Sequence, residues 1–190
     1  ASTKTFVNSM ACLYLLATHI GLHRNFLGTS ALKDCVQSLS KLPELIGRVL
    51  SRSDECQEIA QLYFQRTNFL YIGRGIQVPI AMEGALKLKE ISYIHAEGTP
   101  AGELKHGPIA LVDPTIPVVA LCLQDSFYDK MLGNISEVKA RNGVVVAVAT
   151  DGDTSIKDLA DHVLYIPEVP YLLSPIVSVI PLQLLAYNIA

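Results

Sequence analysis

The stretch from residue 69 to residue 93, FLYIGRGIQVPIAMEGALKLKEISY, decides the fold. It begins with a short continuous apolar run at 69–72, which is typical of a strand that is buried on both faces. A turn with two glycines follows, and from Pro79 onward apolar residues recur every three or four positions. This spacing predicts a helix over 79–93, and Pro79 suits its first turn because no N–H is needed there. The stretch therefore predicts a strand, a tight turn and a helix.

The same change of period is repeated downstream. Continuous apolar runs at 118–123, 144–149 and 163–166 predict three more buried strands, and helical patterns at 126–141 and 155–160 lie between them. Strands that alternate with helices form a layered sheet, and right-handed crossovers make its strands parallel. We therefore expect an α/β protein, a three-layer α/β/α sandwich with a mostly parallel central sheet.

Upstream of the sheet the sequence predicts extra helices. Ser2 and Thr3 are suited to capping a first helix that continues to Gly21. This helix is apolar nearly all round, so we expect it to be buried on more than one side. Further helical patterns cover 31–42, 43–50 and 54–66. With 190 residues, half of them apolar, the chain can form one core with a docked helix but not two independent domains.

The composition excludes several classes of function. The net charge of −3 arises from 15 basic and 18 acidic residues scattered along the chain, so no basic stripe is available for nucleic acid or an anionic membrane. The apolar stretch 172–190 contains two prolines and two amides, which suit a helix buried in protein better than one in lipid. We expect neither nucleic acid nor a membrane as a partner.

The cysteines and the opening residues are typical of a cytoplasmic protein. Cys12, Cys35, Cys56 and Cys122 lie far apart without a C-x-x-C pair, so we expect buried thiols rather than disulfides or zinc ligands. No charged leader followed by a short apolar core is visible. A cytoplasmic location is therefore expected.

Two turns at the expected carboxyl edge of the sheet match ligand loops only in part. Ligands bind where loops leave the carboxyl ends of parallel strands, and here these loops are 73–77, 124–125 and 150–154. Gly73-Arg74-Gly75 lacks the third glycine of a dinucleotide-binding loop. The turn at 151–153, DGD, lacks the further ligands of a calcium loop. We expect no nucleotide and no metal at these turns, and a solvated turn at 151–153.

The predicted helix carries a stripe of charge. Glu83, Lys87 and Glu90 stand at i, i+4 and i+7, which places them on one face. Spacing alone favours an exposed face stabilised by ion pairs, each worth about a few tenths of a kcal/mol. The apolar residues on the other faces favour the alternative, in which the stripe faces a cleft and an acid beside a lysine transfers protons.

A glycine- and proline-rich segment, AEGTPAGELKHGP at 96–108, follows this helix and is predicted to be a loop. His106 lies near its end. A histidine in such a loop is more often structural than catalytic, but it is the side chain that exchanges protons most readily near neutral pH. His106 is therefore a candidate catalytic residue.

Residues 73–108 closely resemble one enzyme family. The runs EGALKLKEISYIHAE at 83–97 and GELKHGP at 102–108 are similar to the isomerase domain of the glucosamine-6-phosphate synthases, the glutamine:fructose-6-phosphate amidotransferases. The resemblance extends over essentially the whole chain, from the opening ASTK to PLQLLAY at 181–187, although 11–65 match only in general character.

The resemblance implies a domain organisation and a reaction. It makes residues 1–25 the last helix of a first sugar-isomerase (SIS) fold and residues 26–190 a second SIS fold. The implied reaction converts fructose 6-phosphate and glutamine-derived ammonia into glucosamine 6-phosphate by C1–C2 proton transfer, the first step of amino-sugar synthesis, with no metal or organic cofactor. The implied partners are a glutaminase domain in the same parent chain and a second copy, which forms a homodimer.

The resemblance also implies roles for single residues. Glu90 corresponds to the acid/base that moves the proton, and Lys87 to a lysine that holds Glu90 ionised or assists proton traffic at the sugar oxygens. His106 corresponds to the histidine that opens the sugar ring and reaches in from the neighbouring subunit. Three further residues correspond to positions at the sugar-binding pocket: Glu83, Ser2 and Thr3.

Parts of the family pattern are not found in these 190 residues. The serine- and threonine-rich phosphate loop, the imine-forming lysine and the glutaminase segment have no match, and the turn 73–77 offers a phosphate only backbone donors and Arg74. The chain alone is therefore expected to be nearly inactive. A non-catalytic phosphosugar-sensing SIS module and a related phosphosugar isomerase or deglycase remain as alternatives, but the run at 83–97 favours the synthase.

Overall fold

A five-stranded parallel sheet forms the centre of the protein in the computed structural model, which describes residues 2–190. The strands run in the order β2-β1-β3-β4-β5, and every neighbouring pair is parallel. The chain first adds β2 on one side of β1 and then β3 on the other, so the strand order reverses between β1 and β3. The strands are β1 (Asn68–Gly73), β2 (His95–Pro100), β3 (Pro117–Cys122), β4 (Val144–Thr150) and β5 (His162–Ile166).

Seven α-helices and four 3₁₀ turns surround the sheet in the described part of the chain. The helices are α1 (Lys4–His23), α2 (Thr29–Ser40), α3 (Leu42–Leu50), α4 (Ser53–Tyr63), α5 (Gln77–Ser92), α6 (Tyr128–Lys139) and α7 (Ser174–Ile189). The 3₁₀ turns are Ala101–His106, Pro108–Leu111, Ser155–Asp158 and Tyr171–Leu173.

The two faces of the sheet carry separate cores, because successive strand residues point to opposite faces. Tyr71 and Val148 belong to a core that includes residues of helices α3, α4, α5 and α7. Ile72 and Ala147 belong to the other core, together with residues of α6 and the turn Ala101–His106. The predicted three-layer sandwich is confirmed, and so are the four strands predicted from continuous apolar runs.

The sequence does not predict strand β2, because the glycine- and proline-rich segment 96–108 is typical of a loop. Only Ala96 and Thr99 are buried in this strand, whereas His95 and Glu97 are exposed. The reason is its position at the edge of the sheet, where it pairs with β1 alone and needs no continuous apolar run. The glycine and the proline of β2 are residues that are typical of loops.

Two predicted helices differ in their limits. Helix α5 begins at Gln77, two residues before Pro79. The segment 155–160 forms only the short 3₁₀ turn Ser155–Asp158. Both differences lie at the junction with a loop, where spacing defines a boundary poorly.

Two predictions for the first helix were wrong. Thr3 already has helical backbone angles, φ −92° and ψ −56°, and its side chain makes no capping hydrogen bond. Burial on several sides does not occur either: among the described residues of α1 only Thr18 is buried, while Leu13 and Leu16 are more than half exposed. Phe6 and Met10 pack on the core, so residues 2–190 cover one side of α1 and leave the side with Leu13 and Leu16 largely uncovered.

Two segments are long and apolar enough to cross a membrane by length and composition alone, which is weak support for a span. The segment Tyr171–Ile189 has a mean hydropathy of 1.6 and is 72% buried within the domain. Its interpretation as a helix buried in protein is therefore confirmed. The other, Lys4–His23, has a mean hydropathy of 1.3 and is 6% buried.

We predict that Gly98→Ala destabilises the domain. A Cβ atom at Gly98 would lie 2.5 Å from the Cα atom of Met82 in helix α5, and a backbone atom cannot rotate away. We expect a loss of about 1–3 kcal/mol in the free energy of unfolding, measured by urea denaturation.

Gly133→Ala in helix α6 is the matched control. A Cβ atom at Gly133 meets nothing within 4 Å, so this change should stabilise the domain by about 0.5–1 kcal/mol. Equal effects of the two substitutions would show that the contact between β2 and α5 is not tight.

Candidate active site

Helix α5 is fixed in place by close packing and by a buried amide. A Cβ atom at Gly84 would lie 2.6 Å from Leu182 Cδ1, so α5 approaches α7 closely. At the start of α5, Gln77 Nε2 donates a hydrogen bond to Ser174 Oγ at 2.8 Å, and Ser178 Oγ donates to Gln77 Oε1 at 2.8 Å. Sequence reasoning missed Gln77, because both partners lie about a hundred residues away along the chain.

The three charged residues of α5 form one cluster around Lys87. Lys87 Nζ lies 2.6 Å from Glu90 Oε2 and 3.3 Å from Glu83 Oε1. Lys87 is only 3% exposed, and the side chains of Glu83 and Glu90 are 13% and 40% exposed. The interpretation as an exposed helix face is therefore wrong for the lysine, which is buried between its two carboxylate partners.

The cluster holds one positive and two negative charges. Burial lowers the pKa of Lys87, but the hydrogen bond to Glu90 and the charges of both carboxylates outweigh burial and raise it overall. The hydrogen bond that Lys87 donates lowers the pKa of Glu90, against an opposing effect of desolvation. Glu90 is therefore ionised at neutral pH and able to accept a proton.

His106 lies away from this cluster within one chain. It is exposed at the end of the turn Ala101–His106, whose Ala101 and Leu104 are buried in the core on the other face of the sheet. The turn follows the carboxyl end of β2, which by strand rise is about 17 Å from the strand's first residue. Glu90 lies close before that first residue, near the end of α5. Within one chain, the turn that carries His106 and the helix that carries Glu90 thus pack on opposite faces of the sheet.

Ser2 and Thr3 are exposed at the start of α1. The following residues Phe6 and Val7 pack on the core that includes residues of α5. No side-chain hydrogen bond between residues 2–190 joins Ser2 or Thr3 to the charged cluster. Their role in substrate binding remains a prediction.

The turn between β1 and α5 is packed closely on one side. Gly75 has a φ of +54°, and a Cβ atom there would lie 2.5 Å from the ring of Phe127 and 2.9 Å from Tyr171 Oη. Arg74 Nε donates a hydrogen bond to Asn134 Oδ1 at 2.9 Å. Nε of Arg74 is therefore engaged within the domain, whereas Gly75 itself is exposed.

A cavity of about 600 Å³ lies at the carboxyl ends of β3, β4 and β5. It is located where the loops 124–125 and 150–154 were expected to meet, and it contains the carboxylates of Asp125 and Glu168 but no basic side chain. Two negatively charged carboxylates disfavour the binding of a phosphate group, which is negatively charged as well. Its lining comprises Leu123, Gln124, Asp125, Ser126, Thr150, Ile166, Pro167, Glu168, Val169, Pro170, Tyr171 and Ser174.

The turn at 151–153 is structural rather than solvated, which corrects the expectation. Asp151 pairs with Arg48 at 2.9 Å and with Arg52 at 2.6 Å. Asp153 is 3% exposed and accepts a hydrogen bond from Tyr128 Oη at 2.8 Å. Across residues 2–190, no group of three or more histidine, cysteine and acidic side chains is arranged to hold a metal ion.

The expectation of buried thiols holds for two of the four cysteines. Cys56 and Cys122 are buried, and burial raises the pKa of each thiol to about 12. Cys12 is exposed and Cys35 is half-buried, because both lie on the upstream helices that the domain covers incompletely.

The fold and this site define a class of protein. The model of the SIS domain matches residues 62–190, and the chain therefore belongs to the SIS domain family. The solved C-terminal domain of glucosamine-fructose-6-phosphate aminotransferase from Francisella tularensis is similar, with a TM-score of 0.93 and 37% identity over 100% of this chain and 53% of that one. The division predicted at residue 25 stays a prediction.

Curated relatives carry a more particular name. The glutamine–fructose-6-phosphate aminotransferase [isomerizing] of Thermus thermophilus is 51% identical over 190 residues, which are 100% of this chain and 32% of that protein. The protein of the same name from Bacteroides thetaiotaomicron is 45% identical, with 31% of it covered. The chain thus spans about a third of the length of these relatives. The resemblance inferred from the sequence is confirmed.

A more distant structure shows the fold alone. The sugar isomerase domain of an RpiR transcription factor from Sphaerobacter thermophilus superposes with a TM-score of 0.69 at 18% identity, over 82% of this chain and 88% of that one. One fold hosts many activities, so this likeness carries no functional argument.

We predict that Lys87→Met raises the pKa of Glu90. Lys87 donates the hydrogen bond that lowers this pKa, so its removal should return the value to the ordinary range or above it. The titration of the Glu90 carboxyl carbon, followed by NMR, measures the change. Lys89→Met is the control, because Lys89 is exposed on the same helix. A pKa of Glu90 that does not move would contradict the hydrogen bond.

Proposed function

We propose that this chain is the C-terminal part of the isomerase region of a glutamine–fructose-6-phosphate aminotransferase, which converts fructose 6-phosphate into glucosamine 6-phosphate. The buried Lys87 between Glu83 and Glu90 carries the proposal. Burying a charge is costly, and a site that keeps one lysine beside two acids is suited to proton transfer. The 51% identity to the Thermus thermophilus relative supports the substrate assignment.

Glu90 would act as the acid/base. Its carboxylate takes a proton from C1 of the sugar and returns it to C2, while the proton of the C1 hydroxyl passes to the C2 oxygen, so the carbonyl group moves from C2 to C1. Lys87 keeps Glu90 ionised before the transfer, because its hydrogen bond lowers the pKa of Glu90. Glu83 is the second partner of Lys87, so the lysine stays charged when Glu90 takes up the proton.

Other parts of a longer polypeptide would complete the site. The phosphate group and the imine-forming step would use residues outside these 190, since the turn at 73–77 has no hydroxyl side chain and the cavity at the ends of β3, β4 and β5 carries two carboxylates. A glutaminase domain in the same polypeptide would supply ammonia. Such an enzyme would work in the cytoplasm without a metal or organic cofactor.

His106 would act on the substrate bound by a second copy of the chain. Within one chain the turn that carries it packs on the face of the sheet opposite α5. A homodimer in which this turn reaches the neighbouring copy would place His106 beside the sugar ring, where it would open the ring by proton exchange.

We predict that Glu90→Gln in the full-length polypeptide abolishes sugar isomerisation but not glutamine hydrolysis. Removing a general acid/base costs about 10²–10⁴-fold in rate, and hydrolysis belongs to a separate domain. Conversion of fructose 6-phosphate to glucose 6-phosphate, coupled to NADPH formation, measures the first activity, and glutamate release measures the second.

Glu58→Gln is the control for this experiment, because Glu58 is exposed on α4 and belongs to no part of the site. Equal loss of both activities in Glu90→Gln would contradict the role of Glu90. A wild-type polypeptide that binds fructose 6-phosphate without converting it would favour the sensing alternative.

We predict that mixing two inactive variants restores activity. In a mixed dimer of Glu90→Gln and His106→Asn subunits, one site carries both substitutions and the other carries neither. If His106 acts on the neighbouring copy, co-expression of the two variants should therefore give isomerase activity that neither has alone. If both residues acted within one chain, every site would be defective and the mixture would stay inactive.

A further inference from the structure

A hydrogen-bonded network of polar side chains connects the turn Ala101–His106 to the rest of the domain. Arg74 Nε donates to Asn134 Oδ1 at 2.9 Å, and Asn134 Nδ2 donates to Glu137 Oε2 at 3.2 Å. The other oxygen, Glu137 Oε1, lies 2.9 Å from Lys105 Nζ. Lys105 directly precedes His106, so this hydrogen-bonded network ends one residue before the candidate catalytic histidine.

Asn134 is the central residue of this hydrogen-bonded network. It is 5% exposed on helix α6, whose buried neighbours Met131, Ile135 and Val138 are apolar. A buried amide is costly unless it is hydrogen-bonded. In Asn134, both the oxygen and the nitrogen of the amide make hydrogen bonds within the network. An apolar residue would be the simpler choice if this position served packing alone.

The turn is held at both of its ends. Arg74 also lies against the first part of the turn, where a Cβ atom at Gly102 would be 3.4 Å from Arg74 Nη1. Lys105 holds the last part through Glu137, and Leu104 is fully buried between the two. His106 itself is exposed, so its direction depends on the turn that carries it.

We propose that Arg74, Asn134 and Glu137 are positioning residues that hold the turn so that His106 meets the sugar ring. The inference rests on the proposed function, in which His106 opens the ring. Through Arg74, the same residues also connect the turn to the loop that precedes α5, the helix of the acid/base. A displacement of about 1 Å of a catalytic group can cost about a hundredfold in rate.

A substrate without a ring tests the proposal in the full-length polypeptide. 5-Deoxyfructose 6-phosphate lacks the hydroxyl group that closes the furanose ring, so it needs C1–C2 proton transfer but no ring opening. We expect Asn134→Ala to lower kcat/KM for fructose 6-phosphate by about ten- to a hundredfold and to leave kcat/KM for the deoxy substrate nearly unchanged. Glu137→Gln, at a less buried position, should give the same pattern with a smaller loss.

Lys139→Ala is the matched control. It removes an ion pair of the same helix, with 2.7 Å between Lys139 Nζ and Asp161 Oδ2, that does not reach the turn, so neither rate should change. An equal fall for both substrates in Asn134→Ala and Glu137→Gln, or no fall in either, would overturn the positioning role. If His106→Asn itself slows both substrates equally, ring opening by His106 is wrong, and the inference falls with that part of the proposed function.

Discussion

The close contact of helix α5 with its neighbours is the constraint on which the site depends. On one side a Cβ atom at Gly98 would collide with the backbone of Met82, and on another a Cβ atom at Gly84 would collide with Leu182 and Tyr71. Gly98 is therefore needed because two backbones approach too closely for a side chain, and at Gly84 the side chains of Leu182 and Tyr71 fill the space. This packing buries the middle of the helix on several sides, and within residues 2–190 the charged partners of Lys87 are Glu83 and Glu90.

The sequence predicts the centre of the fold well and its margins poorly. Strands β1, β3, β4 and β5 are found because they are buried on both faces, which requires continuous apolar runs. The edge strand β2 is not found, because one-sided pairing allows polar residues, a glycine and a proline. The upstream helices are located correctly, but the sequence does not reveal which of their faces other residues cover.

The site is predictable in composition rather than in geometry. The spacing of Glu83, Lys87 and Glu90 places them on one helix face, but burial of Lys87 depends on packing that spacing does not encode. The ring-opening role of His106 is implied by the resemblance. The sequence does not reveal that the turn with His106 and the helix with Glu90 pack on opposite faces of the sheet. The link from Arg74 to Asn134 spans 60 residues, so no local pattern indicates it.

Strand β2 has a further consequence for how the protein behaves in concentrated solution. An edge strand presents unpaired backbone N–H and C=O groups, and a flat apolar edge would attach to the edge of another sheet and begin aggregation. Here the strand is six residues long, carries the exposed polar residues His95 and Glu97, and ends in Pro100, which has no N–H to donate. The polar residues and the proline that make β2 resemble a loop in the sequence thus also protect the domain from edge-to-edge association.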